Sequence, residues 1–462
     1  MNPVYASVRE ISEAIRTGET SPVELAEVFM GRLREHGPRL NSVMAVMEYR
    51  ALKEARAAQR EIMEKGPVGP LHGVPYGVKD LIAAKGAPTT WGAAPLKGQV
   101  FNYDATAVRR LRRAGAVLCA KLAMIELAGG MGYRQPNASF TGPCATPWSL
   151  KHWSGGSSSG SGSSVAAGLV PFALGSETWG SILSPANNCG VSGLRPTYGR
   201  VSRRGAMALS WTLDKLGPLC LTADDCGLVL EAISGYDPGD ATTTRKRYRY
   251  SVEVGEFRIG VPKDALDETQ EAVAGSFKDS LRVLEGFATV EEVEFPEFPY
   301  EAVTRTILNA EAASAFDEFT EEGLARGLTA PEDRYGPYAR TVLLARDYLK
   351  ALRLRARMAE IADEVMTGYD AIVAPARKTT ASPMDQEFRK VAPGTAKDVM
   401  GALGNGAGLP AISVPNGFSE EGLPTGVQFM GRAYDENVLL SVAVEYQRRT
   451  DWHLRHPPAF KA

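Results

Sequence analysis

The sequence predicts an α/β protein, and three observations lead to that class. The chain has 462 residues, of which 44% are apolar and 23% are charged, the ordinary composition of a globular protein with a sizeable core. From Gly73 onward, short β-branched runs alternate with helix-like segments, as in proteins that layer helices on a sheet. No internal repeat occurs at a period of about 20 to 50 residues, so we expect one interwoven domain over residues 1–462.

The charge balance bears on partners and compartment. Lysine and arginine total 52 against 54 acidic residues, a formal net charge of -2, which provides no global field to hold a nucleic acid. Residues 1–16 carry charges of both signs and lack the apolar core of a signal peptide. The longest nearly apolar stretch, residues 165–175, has 11 residues and is too short to span a bilayer. We therefore expect a cytoplasmic protein with no membrane segment and no direct nucleic-acid partner.

The cysteines and histidines favour neither disulfides nor metal binding. The five histidines include no H-E-x-x-H pair and no cluster of ligands. The five cysteines are odd in number and show no C-x-x-C spacing, so we interpret them as reduced and mostly buried. We expect neither a metal nor a cofactor. The cysteines are Cys119, Cys144, Cys189, Cys220 and Cys226.

The N-terminal segment, residues 1–68, is expected to be mainly helical. Residues 21–24 read Ser-Pro-Val-Glu, a capping box with proline at the first helical position, and this helix should stop at Gly37-Pro38. Residues 42–46 predict a short strand, and residues 48–65 predict a second helix with a solvated polar face.

The next segment, residues 70–230, is expected to hold the core of the domain. Residues 74–78 and 116–119 predict strands, and residues 105–114 predict a helix between them. Residues 237–255 are polar and lack periodicity, which indicates a surface connection. Its basic cluster at 245–247 is interpreted as a solvated turn in preference to a binding patch.

The remaining chain is expected to add a helical insertion and to complete the sheet. Strands are predicted at 257–261 and 289–295 around a helix at 268–287. Residues 300–368 predict a mostly helical, cap-like insertion with a break near Gly336-Pro337. Residues 369–462 should complete the sheet, with strands at 369–374, 410–414 and 425–430 and a final helix at 435–450.

A run of serine and glycine stands out within the core segment. Residues 154–164 contain only these two residue types over eleven positions, which is the composition of a flexible linker. A linker leads into a polar boundary, whereas this run leads directly into the apolar residues 165–174. We therefore favour a loop and helix N-terminus whose backbone N–H groups and hydroxyls line a buried polar site.

Three kinds of chemistry compete for this site. Residues 156–160 match the G-x-S-x-G elbow of α/β-hydrolases, but residues 147–153 are a poor strand and the downstream histidines, His453 and His456, lie in a polar tail. A phosphate cradle is disfavoured because its glycine motifs do not occur in the loop. A serine activated by an unprotonated lysine needs a buried lysine, and Lys79 follows an apolar strand. The alternative for Lys79 is an ordinary surface or paired lysine.

Several motifs resemble the amidase signature family. The likeness covers nearly the whole chain and is most specific over residues 70–230. It implies the amidase signature fold, a mixed, mostly parallel central β-sheet covered by helices on both faces. The motifs are Lys79 after a Gly-Val-Pro strand, the Gly-Gly-Ser-Ser loop at 155–158, Ser181 in Gly-Ser-Glu-Thr-Trp-Gly-Ser-Ile at 175–182, and residues 189–202, 214–218, 408–415 and 422–428.

The resemblance assigns a role to each member of a relay. It makes Ser181 the nucleophile, Ser157 the bridging serine held by a cis peptide after Gly156, and Lys79 the base. Neutral Lys79 would accept a proton from Ser157 while Ser157 accepts one from Ser181, whose oxygen attacks the carbonyl and forms an acyl-enzyme. Ser158 is expected to orient this network.

The resemblance also implies residues around the reacting carbonyl. Backbone N–H groups of Thr178, Trp179, Gly180 and Ser181 are similar to an oxyanion hole. The helical segment at 300–345 is expected to roof the cleft.

A loop facing the nucleophile is the expected substrate contact. It contains Met131, Gly132 and Tyr133. For Met131 and Tyr133, ordinary core packing is the alternative interpretation.

Two departures from the family pattern concern the substrate. The usual Asp-x-Gly-Gly-Ser-Ile-Arg is here Glu-Thr-Trp-Gly-Ser-Ile-Leu at 177–183, so Trp179 replaces a glycine and Leu183 replaces an arginine. These changes predict either a more apolar acyl or leaving-group site, or a local repacking.

The resemblance implies a hydrolase acting on the C–N bonds of linear amides other than peptides. The expected substrate is a small-molecule amide or carbamate, with esters also open, and the expected state is a monomer or homodimer. The alternative is the glutaminase subunit of a tRNA-dependent amidotransferase, against which Trp179 and Leu183 argue. The third hypothesis, an inactive binding protein, is disfavoured by the intact Lys79, Ser157 and Ser181.

Overall fold

The computed structural model describes residues 2–340, 342–391 and 397–461. The strands are β1 (Val43–Val46), β2 (Pro75–Lys79), β3 (Val117–Leu122), β4 (Ala145–Thr146), β5 (Ser149–Trp153), β6 (Phe172–Glu177), β7 (Ser192–Arg195), β8 (Lys215–Cys220), β9 (Phe257–Pro262), β10 (Ala288–Val293), β11 (Ala371–Pro375), β12 (Ala411–Phe418) and β13 (Pro424–Met430).

The helices are α1 (Val8–Thr17), α2 (Pro22–Leu40), α3 (Glu48–Lys65), α4 (Thr106–Arg113), α5 (Ser159–Ala166), α6 (Leu183–Cys189), α7 (Ala223–Ile233), α8 (Glu271–Glu285), α9 (Tyr300–Ala315), α10 (Asp317–Glu321), α11 (Pro331–Arg340), α12 (Ala345–Met366), α13 (Phe388–Val391), α14 (Val399–Gly406) and α15 (Glu436–Arg448).

One large sheet organises the chain, in the order β1-β3-β2-β6-β8-β7-β12-β13-β11-β9-β10. Neighbours are parallel in two blocks, β3-β2-β6 and β11-β9-β10, and antiparallel elsewhere. The predicted α/β class with a mixed sheet is confirmed, but parallel pairing prevails only inside those two blocks. Short turns such as the one between β12 and β13 can join only antiparallel strands.

Helices cover both faces of this sheet, as expected. Leu174 of β6 packs in a cluster with residues of α1 and α7, whereas its neighbour Ala173 packs in a second cluster with residues of α5 and α6. The same alternation occurs in β11, where Val373 joins the first cluster and Ile372 joins a third with α12 and α14. Successive side chains of a strand point to opposite faces, so both faces are buried.

Helix α2 begins as predicted and ends later than predicted. Ser21 accepts the N–H of Glu24 in a complete capping box, but the helix continues through Pro38. Asn41, with a φ of 50°, ends it by donating its N–H to the carbonyls of Gly37 and Pro38. A proline in the last turn removes only one helical hydrogen bond, so Pro38 did not stop the helix.

Strand β5 corrects the interpretation of residues 147–153 as a poor strand. It pairs with β4 in a small antiparallel sheet. Its Trp153 N–H donates to the carbonyl of Ser382 at 2.8 Å, and its Lys151 carbonyl accepts the N–H of Met384 at 3.0 Å. These partners are distant in sequence, and local propensity does not register them.

The helical insertion contains breaks, but not at the predicted place. Gly336 and Pro337 lie inside α11, which ends at Arg340, and residues 342–344 are not helical. A Cβ atom at Gly336 would lie 2.3 Å from the carbonyl oxygen of Met131. The glycine thus allows close packing on the 129–133 loop. In the same region, α9 packs against both α12 and α14.

The C-terminal strands and the predicted core, residues 70–230, share one sheet. Ala411 of β12 is paired with Arg195 of β7, so the C-terminal strands extend the sheet begun by residues 70–230. The division of the chain into an N-terminal helical segment, a core, a cap and a C-terminal part stays a prediction.

Candidate active site

The serine and glycine run belongs to the packed interior. Residues 154–158 form a loop and α5 follows directly, with every residue of α5 buried. A Cβ atom at Gly160 would lie 2.3 Å from the Ser42 carbonyl oxygen and 2.5 Å from the Ala123 nitrogen. The peptide between Gly156 and Ser157 is cis, as the resemblance implies. A loop leading into a helix N-terminus is therefore confirmed over a flexible linker.

Lys79, Ser157 and Ser181 lie in one hydrogen-bonded line. Lys79 is the last residue of β2 and is fully buried. Its Nζ lies 2.7 Å from Oγ of Ser157, and Ser157 Oγ donates to Ser181 Oγ at 3.0 Å. Ser181 is 8% exposed and lies beside the partly exposed Gly180, so the line leads from the interior toward the surface.

The environment of Lys79 favours the neutral amine. Burial lowers the pKa of Lys79 to about 7, and the charges of Asp214 and Glu177 offset part of this effect. Near neutral pH a large fraction of Lys79 is therefore unprotonated. A neutral amine at this distance can accept the proton of the Ser157 hydroxyl.

Free backbone donors surround Ser181. The chain leaves β6 after Glu177 and turns into α6 at Leu183. Within the described part of the chain, the backbone N–H groups of residues 178–181 donate to no protein acceptor. Gly180 has a φ of 80°, and no atom lies within 4 Å of the place where its Cβ would be. This turn therefore carries N–H groups without a protein acceptor next to Ser181, and their role as an oxyanion hole stays a prediction.

Glu177 holds the turn that carries Ser181, a role that sequence reasoning missed. Its Oε2 accepts the N–H groups of Ile182 at 2.8 Å and Leu183 at 3.0 Å, and its Oε1 accepts from Arg195 at 2.9 Å. Burial opposes ionisation of Glu177, but the charges of Arg195 and Lys215 hold its pKa below the usual value. The carboxylate thus fixes the start of α6.

Ser158 is hydrogen-bonded to Ser176 and Ser181, and its expected role of orienting the relay stays a prediction. Ser158 Oγ accepts the N–H of Ser176 at 3.2 Å and donates to its carbonyl at 3.1 Å. The Ser158 N–H also donates to the carbonyl of Ser181 at 3.2 Å. Ser176 Oγ in turn lies 2.9 Å from Nζ of Lys79, a contact that sequence reasoning missed.

A sequence signal for the missed residues was present. Ser176 and Glu177 lie in the 175–182 motif, and Asp214 opens the 214–218 motif. The motifs marked these positions without revealing their partners.

The predicted substrate loop, residues 131–133, follows a segment that contacts Ser157. Ile125 donates its N–H to the Ser157 carbonyl at 3.2 Å. Met131 is 2% exposed and belongs to the main core cluster, so the alternative interpretation, core packing, describes its side chain. Gly132 is half-buried, and Tyr133, also half-buried, packs edge-on to Trp153 with ring centroids 6.1 Å apart. Substrate contact by this loop stays a prediction.

The two departures from the family pattern have different surroundings. Leu183 is 4% exposed and packs in the cluster with α12 and α14, so it is a local repacking. Trp179 stays half-buried, and its indole N–H donates to Asp398 at 2.8 Å. The guanidinium of Arg305 lies 5.2 Å from the indole ring. Trp179 is thus held in place by Asp398 and by Arg305 of α9, in the helical insertion.

Other predictions about the chain's chemistry have simple outcomes. All five cysteines are free and buried, as predicted. Among residues 2–340, 342–391 and 397–461, no group of three or more His, Cys, Asp or Glu side chains is placed to hold a metal ion. Over the same ranges, every helix is too short or too polar to cross a bilayer.

The fold and this site together define an enzyme of the acyl-transfer class, with serine hydroxyls, a buried lysine and free N–H donors in one place. The chain belongs to the amidase signature family, because the Amidase family model matches residues 24–440.

Curated relatives match over almost the full length. The A subunit of the glutamyl-tRNA(Gln) amidotransferase of Chloroflexus aggregans is 36% identical over 99% of both chains. The protein of the same name from Roseiflexus castenholzii is 37% identical over 99% of this chain and 98% of its own.

Solved structures also match this chain over almost its full length. A chain of a vestigial protein complex linked to the origins of an s-triazine catabolic enzyme has a TM-score of 0.89 at 29% identity, covering 96% of this chain and 98% of its own. The peptide amidase of Stenotrophomonas maltophilia has a TM-score of 0.85 at 30% identity, covering 99% of both chains. The corresponding glutamyl-tRNA(Gln) amidotransferase protein of Thermotoga maritima has a TM-score of 0.81 at 29% identity, covering 97% of this chain and 95% of its own.

Proposed function

We propose that this protein hydrolyses a carbon–nitrogen amide bond through an acyl-enzyme on Ser181. The observation that carries the proposal is the unbroken line from Lys79 through Ser157 to Ser181, with distances of 2.7 and 3.0 Å. Burial of Lys79 supplies the second requirement, a base that is unprotonated near neutral pH.

In the proposed acylation step, Ser181 Oγ attacks the amide carbon as its proton passes to Ser157 and the Ser157 proton passes to Lys79. The negative charge on the carbonyl oxygen is held by N–H groups of the 178–181 turn. Lys79 then returns a proton through Ser157 to the departing nitrogen, so the C–N bond breaks and an amine leaves. Ser181 keeps the acyl group as an ester.

Deacylation follows the same path with water as the nucleophile. Water loses its proton to the relay and attacks the ester carbon. Ser181 recovers a proton as it leaves, and the carboxylic acid product is released. No step requires a metal or cofactor.

Two candidate functions, which differ in substrate, are supported by different observations. The amidotransferase A subunits are 36% and 37% identical to this chain over almost its full length, which supports a glutaminase that works with partner subunits. A free-standing amidase for small amides or carbamates is supported by Trp179, which lies two positions before Ser181 where the family pattern has a glycine. The relatives support the glutaminase candidate over the whole chain, whereas the second rests on this local feature.

Turnover by the purified chain tests both candidates. The assay compares an aryl amide, an aliphatic primary amide, a carbamate and glutamine, with S181A as the control. Hydrolysis of aryl amides or carbamates by the chain alone supports the free-standing amidase. Hydrolysis of glutamine only after partner subunits are added supports the amidotransferase. Equal activity of S181A and wild type would contradict both.

A further inference from the structure

Asp214 is a buried carboxylate next to the turn that carries Ser181. Its Oδ1 accepts the hydroxyl of Thr178 at 2.6 Å. Its Oδ2 accepts the N–H groups of Leu209 at 2.8 Å and Ser210 at 3.0 Å. Burial raises the pKa of Asp214, but three donors aimed at its oxygens favour the ionised form.

The contact with Thr178 extends the ladder between β6 and β8. In that antiparallel pair Glu177 is opposite Lys215, so Thr178 and Asp214 face each other just past the last pair. Thr178 begins the turn whose N–H groups are free. The hydrogen bond between the two side chains therefore fastens the first residue of this turn to the sheet.

Asp214 also lies beside a cavity next to Lys79. The cavity has a volume of about 450 Å³, and Ser176, Thr178 and Asp214 are part of its wall. Ser176 Oγ contacts Lys79 Nζ at 2.9 Å, and Thr178, two positions further along, contacts Asp214 at 2.6 Å. Alternate residues of an extended segment share a face, so the amine and the carboxylate lie on the same side of this stretch.

The two carboxylates that act on Lys79 differ in whether a basic group pairs with them. Asp214 and Glu177 are the two carboxylates that favour its ammonium form. Glu177 is paired with Arg195 at 2.9 Å and also faces Lys215. Among the described residues, no basic group lies within ion-pair distance of Asp214. Arg203 acts on its carboxylate from farther away.

We propose that Asp214 is a positioning residue for amide hydrolysis: it holds the oxyanion turn through Thr178 and supplies the negative charge that lets Lys79 retain the proton that it accepts from Ser157. This inference rests on the function proposed for Lys79, Ser157 and Ser181. A base that releases its proton too readily is a weak acceptor, so the charge of Asp214 matters to the rate as well as to the geometry.

The test uses the full chain with four substitutions: D214N, T178V, T178S and the control D225N. Asp225 is a fully buried aspartate on α7 without a contact to the relay. Two quantities are measured from about pH 5 to pH 9, the kcat/KM for an aryl amide and the rate at which a fluorophosphonate labels Ser181. The labelling rate reports the reactivity of Ser181 without requiring turnover.

The expected results separate charge from geometry. Both rates should rise with pH along an acidic limb and then reach a plateau. In D214N the acidic limb of both profiles moves to lower pH by about half a pH unit or more, because the Lys79 amine loses a nearby negative charge. The plateau rate falls by about tenfold or more, because the turn loses its hydrogen bond to Asp214. In T178V the plateau falls while the limb stays near its wild-type position, because the Asp214 charge remains. T178S restores the plateau, and D225N keeps the wild-type limb and plateau.

A folded D214N with the wild-type limb and plateau would overturn the inference. If circular dichroism shows that D214N is unfolded, T178V decides, and an unchanged plateau in T178V would overturn it. Failure of the proposed function looks different. In that case wild type itself is not labelled at Ser181, or it shows no acidic limb.

Discussion

Lys79 Nζ lies 2.7 Å from Ser157 Oγ, and both residues are fully buried. An isolated ammonium at this depth is costly, and no carboxylate among the described residues lies within ion-pair distance of it. The lysine is therefore kept in a state where it readily gives up its proton. This relationship explains why an ordinary base such as histidine is not needed beside Ser181.

The first prediction concerns the pH dependence of activity. Because burial lowers the pKa of Lys79 to about 7, the reactive neutral amine dominates above that pH and is lost below it. The kcat/KM for an amide should rise with pH through about 7 and then level off. A pH–rate profile measures this, and a flat profile across the same range is the contrary result.

The second prediction separates a catalytic from a structural role of Lys79. The pKa of Lys79 is about 7 in the folded protein and 10.5 in the unfolded chain, so the folded protein binds this proton more weakly. The free energy of unfolding should therefore rise as the pH increases from about 7 to 10.5. K79M removes this titration. We expect K79M to lose acylation at every pH, to be at least as stable as wild type at pH 7, and to vary less with pH. Denaturant unfolding checks this, and a large loss of stability in K79M would indicate a structural lysine.

The third prediction concerns Glu177 and Arg195. Either single substitution, E177Q or R195M, leaves a buried charge without its partner and should cost about 3–5 kcal/mol of unfolding free energy. The double variant should lose clearly less than the sum of the two. A double-mutant cycle in denaturant measures the coupling, and strictly additive losses would show that the pair is not coupled.

The fourth prediction concerns Gly160. A Cβ atom there would meet the backbone of Ser42 and Ala123 at 2.3 and 2.5 Å, so G160A should destabilise the protein by about 1–3 kcal/mol. Gly98 is the matched control, since a Cβ at that position meets nothing within 4 Å. Thermal unfolding of G160A and G98A compares them. Equal stability of both variants would show that the backbone yields to the extra atom.

The fifth prediction concerns the side chain of Trp179 and the size of the substrate. W179G removes the ring, so kcat/KM for bulky amides should rise about tenfold relative to small amides, the effect expected when a pocket gains room for an apolar group. W179F loses the hydrogen bond to Asp398 but keeps an aromatic ring at this position, so it should keep a preference closer to wild type than W179G does. Competition between a bulky and a small amide measures this, and an unchanged preference in W179G would remove Trp179 from the substrate site.

Much of the site could be predicted because its residues fall in local motifs. Lys79 after a strand, Ser157 in a glycine-rich loop and Ser181 in the 175–182 motif were each located through the resemblance of these motifs to the amidase signature family. Ser176 and Asp214 could not be assigned a role, because their importance lies in partners on other strands, at distances that no local pattern encodes.

The fold shows the same limit. Strong local signals, such as the capping box at Ser21, gave correct helix starts. Pro38, Gly336 and Pro337 were interpreted as breaks, yet all three lie inside helices. Pro38 is tolerated because it lies in the last turn of α2, whereas Gly336 packs on the distant Met131 carbonyl. Strand β5 pairs with the nearby β4, but it also contacts Ser382 and Met384, which are more than two hundred residues away and which local reasoning cannot include.

The most direct test of the account is covalent labelling of the nucleophile. A fluorophosphonate is added to wild type, S181A and K79M, and the labelled peptide is identified by mass spectrometry. We expect a single label on Ser181 in wild type, no label and a loss of amide turnover of about 10⁴-fold or more in S181A, and little label in K79M. A label on Ser157 or Ser158 in place of Ser181, or full amide hydrolysis by S181A, would contradict the account.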